Sequence, residues 1–249
     1  MKRRFLVLFF LLSGALTPFG AALGDWRDIT PEEEHFVQLV EKRTYAVLRN
    51  AAQNMGSRWK IVDLGTNNFQ RKAVDGANHK GRPHEVRVEL HMEYQPADDA
   101  ELGVLDGEID QFSQRVARME KVPDALARTN PSHKKELYTV LIVNYMGFMP
   151  LSIKAAASLG DIAQYPGTVF SYVQWKGIGE SAPKRTLLMG EFRRGPHSGE
   201  ERIFETFADT PDCRNVRTII LNVQSNETIS DQFVKALDLQ DLNALIAKH

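Results

Sequence analysis

The sequence predicts an α+β fold: an antiparallel sheet of about six or seven strands, covered by a long N-terminal helix, a mid-chain helix and short C-terminal helices. Three observations carry that expectation. In His84–Tyr94, Val86, Val88, Leu90, Met92 and Tyr94 alternate with Glu85, Arg87, Glu89, His91 and Glu93. A period of two buries one row of side chains and wets the other, as in an antiparallel sheet with one covered face. Thr30-Pro31-Glu32-Glu33 opens a long amphipathic helix. From Thr168 to Gln224, four short β-rich runs follow one another with turn residues between them.

In chain order, Lys2, Arg3 and Arg4 precede the apolar run Phe5–Leu16, and Ala22-Leu23-Gly24 ends in small residues. A cationic start, a short apolar stretch and a small-x-small end make a secretory signal peptide over 1–24, leaving 25–249 as a single domain. The apolar run falls short of the ~20 residues that span a bilayer. Loss of the three cations takes the 31 Lys and Arg to 28 against 32 acids, so the mature chain is mildly acidic. Nucleic-acid binding would call for the opposite balance. Cys213 is the sole cysteine. It excludes an internal disulfide, so an apolar core must hold the fold in an oxidising compartment.

Phe36, Val40, Val47, Ala51 and Met55 form the apolar stripe of the first helix, which Gly56 ends. Trp59–Leu64 is a short strand, and Gly65–Pro83 a polar loop. Asp98–Asp110 holds six acids and no base. Overlapping it, Leu102, Leu105, Ile109, Phe112, Val116 and Met119 recur at alternating steps of three and four, a heptad seam. Such a narrow seam suits one neighbouring helix, in this chain or a partner, and makes Leu105, Ile109, Phe112, Val116 and Met119 the candidate partner face. Leu137–Met146 is apolar on both sides and reads as a central strand. Leu151–Leu159 is ambiguous between helix and strand. Thr168–Trp175, Arg185–Phe192, Ile203–Phe207 and Val216–Gln224 read as a meander. Asn226–Thr228 opens the last helical segment, with Asp231 completing a variant capping box.

Few motifs survive a check of their context. Glu89, His91 and Glu93 share one strand face, with His79 and His84 upstream, and such ligands would suit a divalent metal. Gly179-Glu180-Ser181-Ala182 starts like a nucleophile elbow, but Pro183 stands where glycine is needed and the flanks are strands. Ser57-Arg58-Trp59-Lys60 has serine–lysine spacing at a helix end, where the two side chains diverge. The acidic stretch lacks the alternating oxygen ligands and sixth-position glycine of a calcium loop. Arg193 and Arg194 form a small basic tip, and Met146–Leu151 an apolar corner.

No catalytic, metal or cofactor set is assigned on these residues. The function expected is an exported (periplasmic or secreted), non-enzymatic accessory or binding domain. Its partner would be another exported protein, a second copy of the chain or a small apolar ligand, with no nucleic acid and no transmembrane segment in the mature chain. The alternative is an exported metal-dependent hydrolase working from the Glu89, His91 and Glu93 face.

Overall fold

The computed structural model describes residues 26–55, 59–63, 69–74, 86–119, 126, 130–145, 150–174, 182–206 and 215–246. The expected signal peptide (1–24), His79, His84, Ser57, Ser181, Cys213 and the corner 146–149 lie outside them.

A short strand β1 (Trp26–Arg27) precedes helix α1 (Pro31–Asn54). Thr30 caps it: its hydroxyl accepts from the Glu33 N–H at 3.3 Å, and the Glu33 carboxylate accepts from the Thr30 N–H at 2.8 Å. That is a complete capping box, with Pro31 at the first helical position. Val37, Val40, Val47, Leu48 and Ala51 are the buried stripe, while Phe36 and Met55 lie half-buried at its rim. Strands β2 (Trp59–Asp63), β3 (Phe69–Val74) and β4 (Val86–Pro96) follow, then helix α2 (Asp99–Val116) and a 3-10 turn at Pro131–Lys134. Next come β5 (Leu137–Val143), β6 (Leu151–Ser152), α3 (Ile153–Leu159), β7 (Gly160–Ala163) and β8 (Phe170–Gln174). Strands β9 (Lys184–Gly190), β10 (Phe192–His197), β11 (Glu200–Glu205) and β12 (Thr218–Gln224) lead to helices α4 (Glu227–Ala236) and α5 (Leu239–Leu245).

The large sheet runs β1-β3-β4-β5-β12-β9-β8-β7, with β2 also paired to β4. All its ladders are antiparallel. Seven of its nine strands are five residues or longer; β1 and β7 are short edge pieces. Strand β4 is long enough for β2 to pair with its C-terminal half and β3 with its N-terminal half. Its alternation places Val86, Val88, Leu90, Met92 and Tyr94 in the main core, under α1 and against Phe233 of α4.

The structure departs from the sequence reading in several places. Strand β3 (Phe69–Val74) lies inside the 65–83 stretch read as a loop, where pairing with the N-terminal half of β4 makes the chain a strand that its polar composition does not announce. The meander is broken, because β10 and β11 leave the large sheet and build a second one, ordered β10-β11-β6. Gly190 makes the exit possible: its φ is +92°, and a Cβ there would sit 2.1 Å from the Arg217 carbonyl oxygen. The ambiguous 151–159 stretch is both things in turn, a two-residue strand and then a helix capped by Ser152. The α4 cap is Asn226, whose side chain accepts from the Ile229 N–H at 2.8 Å. Finally, the second face of the large sheet is only half open. The small sheet and α3 cover its other half with Ala156, Phe192 and Ile203 packed on Ile142, Leu188 and Ile220.

Candidate functional site

Strand β4 commits its even-numbered residues to the core, so any chemistry it offers must come from Arg87, Glu89, His91 and Glu93. The imidazole of His91 is held at both nitrogens: Nε2 lies 2.7 Å from Glu89 Oε1, and Nδ1 lies 2.5 Å from the Tyr138 hydroxyl on β5. The tautomer that satisfies both has Nε2–H donating to the carboxylate and the phenol donating to Nδ1. Arg87 donates to the other Glu89 oxygen, and its guanidinium lies 4.8 Å above the Tyr145 ring. Burial raises the Glu89 carboxyl, but the His91 hydrogen bond and the Arg87 charge outweigh it and hold the group below its ordinary range. Burial, with the charges of Glu89 and Glu93, pushes the Tyr138 phenol up. A phenol moved in that direction is a poor nucleophile near neutrality.

Glu89 and His91 therefore meet, and Glu93 does not join them; its Oε1 accepts from Gln95 at 3.5 Å. A metal at His91 would have to displace either Glu89 or Tyr138 from the ring. Among the described residues no group of three or more His, Cys, Asp or Glu could hold a metal ion. The acids of α2 have local uses as well. Asp98 caps the helix by accepting from the Ala100 N–H at 2.8 Å. Asp106 and Glu108 pair with Lys135 and Lys134 at 2.8 and 2.9 Å. At the basic tip Arg194 takes both Glu201 oxygens, at 2.6 and 3.1 Å.

A second site lies on the helix side of the sheet. The end of α1, the start of β2, the end of β4, α2 and α4 bound a groove of about 620 Å³. Met55, Trp59, Pro96, Leu105, Ile229 and Ala236 make its apolar floor, and Glu101, Lys134, Gln232 and Lys235 its polar rim. Leu105 also begins the heptad seam. It alone of the α2 residues is buried; Ile109, Phe112, Val116 and Met119 stay half-buried. The neighbours that α2 meets most closely are the 3-10 turn and β4. The lysine pairs above fasten the helix to that turn.

No family model, curated protein or solved structure matches the chain. The groove and the His91 network are thus read from their own geometry. Sequence reasoning placed Glu89, His91 and Leu105 but missed Tyr138, Trp59, Ile229 and Ala236. Tyr138 joins His91 only through the β4–β5 register, and the groove collects residues from six separated segments, Lys134 of the 3-10 turn included. No local spacing in the sequence announces either.

Proposed function

We propose that the chain is an exported, non-enzymatic accessory domain that receives another exported protein or a small apolar ligand in the groove between α1, α2 and α4. The groove is the observation that carries this reading. Its volume falls within the ~300–1,000 Å³ of ordinary ligand sites, and it combines an apolar floor with a few polar groups at the rim. Leu105 links it to the half-buried seam of α2, so a protein partner could continue from the groove along Ile109 and Phe112. Export is supported by the leader-like N-terminus, and among the described residues no helix is long and apolar enough to cross a membrane.

Trp59 in the groove floor serves as the reporter. Titration with oleate should shift its fluorescence, and Ala236→Trp, which fills the floor, should abolish oleate binding while leaving the melting temperature near wild type. Native mass spectrometry of protein recovered from the exporting cell should show a mature chain starting at Asp25 with a bound molecule or protein. A chain that begins at Met1 would overturn the export reading. Protein that comes out unliganded, ignores oleate and forms no complex would overturn the binding one.

A further inference from the structure

The strand register sorts the second face of the large sheet into three rows. The first, Glu89–Ile142–Ile220–Leu188–Phe170, is apolar beyond Glu89 and is the main row on which the small sheet and α3 pack, with Val140 and Tyr172 of the next row at the margin of that cluster. One step along the strands, the second row reads His91–Val140–Asn222–Thr186–Tyr172, and the third Glu93–Tyr138–Gln224–Lys184–Gln174. Of these ten residues three are amides, three hydroxyls, and one each an imidazole, a carboxylate, an ammonium and an aliphatic group. All but the buried Thr186 are half-buried.

Hydrogen bonding within the rows is incomplete in a specific way. Thr186 donates to Asn222 Oδ1 at 2.8 Å, and His91 is engaged by Glu89 and Tyr138. Among the described residues, the Asn222 NH₂ and both ends of the Gln174 and Gln224 amides make no side-chain hydrogen bond.

We propose that this face binds a glycan chain laid across β4, β5, β12, β9 and β8. Sugar hydroxyls donate and accept at every oxygen, and a side-chain amide offers both functions in one plane. The half-buried ring of Tyr138, whose hydroxyl is given to His91, adds an apolar surface that suits the C–H face of a pyranose, and the half-buried Tyr172, packed on Phe170, borders the track. The rivals fit less well. A nucleic-acid backbone requires a track of cations, and the two rows offer one lysine against one glutamate. An apolar ligand would find little beyond the Tyr138 ring, since Val140 and Tyr172 already pack against the small-sheet cluster. Four strand spacings of about 4.8 Å carry the track across about 19 Å, room for several sugar rings. The site lies on the sheet face opposite the groove, so it stands independently of the reading given above for the groove.

The test is nuclear magnetic resonance on the purified chain, following the side-chain NH₂ signals of Asn222, Gln224 and Gln174 during titration with chitotetraose, cellotetraose and maltotetraose. At least one sugar should move these three signals together. Asn222→Leu combined with Gln224→Leu should weaken that binding by roughly tenfold or more, the effect of losing one or two hydrogen bonds. Ala236→Trp in the groove should leave it unchanged. Should the double variant fail to fold, Gln174→Ala near the sheet edge replaces it. Three sugars that leave the signals still would overturn the proposal, as would a double variant that binds like wild type. So would a protein partner that moves these signals while the sugars do not.

Discussion

Asn144 is fully buried just after β5, at a φ of +56°. Among non-glycine residues asparagine tolerates that region best. Its side chain donates to the Val86 and Asn215 carbonyls at 3.2 and 2.9 Å, and accepts from the N–H of Arg217 at 2.8 Å. One residue thus ties β4, β5 and the start of β12 together. Asn144→Ala should cost about 2–5 kcal/mol, because it strands buried backbone groups in a strained conformation. Asn144→Gly should recover only the strain, and denaturant melts of the two variants separate the contributions. Leu90 is completely buried, so Leu90→Asp should abolish cooperative folding. Glu89 differs from its sequence-based reading as a solvated residue. It is 9% exposed and paired with Arg87 and His91. Its folded carboxyl titrates below the ordinary value of 4.5, so its stabilisation is present above that pH and lost as pH falls through the lower folded value. Glu89→Gln should therefore flatten the acid limb of a plot of Tm against pH. An acid limb identical to wild type would remove Glu89 from that role.

At the scale of elements, ends were legible where a side chain and the backbone settle the matter locally. Thr30 and Glu33 close the α1 capping box within four residues, and Thr30→Ala should cost about 1 kcal/mol in thermal unfolding. The β4 alternation was legible for the same reason. It names the buried row, although not what would cover the other. Strands β10 and β11 resemble their neighbours in composition, and only the Gly190 turn and the apolar patch at Ile142, Ile220 and Leu188 send them to a separate sheet. The α2 seam was visible as a pattern, and its neighbour was not. That neighbour is a four-residue 3-10 turn carrying Lys134 and Lys135, which has no periodicity to read. Exposed ion pairs of that kind contribute little individually. Lys134→Ala and Lys135→Ala together should lower Tm only slightly, while Leu105→Ala should lower it by more. The reverse order would mean that charge, and not the seam, holds α2 in place.

For the whole molecule, the candidate sites depend on long-range register in a way that no segment of sequence displays. The polar rows exist because five strands, drawn from residues 86 to 224, align their odd or even positions on one face. Strand β12 sits at the centre of that alignment, paired to β5 on one side and to β9 on the other. Among the described residues it is also the last strand in the chain. Until residue 224 has been made, the large sheet exists as two unconnected halves, each with a long apolar edge and no partner. Contacts of such sequence separation form slowly, and open edges in waiting chains invite aggregation. Closure of the large sheet therefore waits for β12, which joins its two halves. A nascent chain stopped at residue 215 should remain protease-sensitive throughout, whereas one extended past residue 246 should become resistant in a single step.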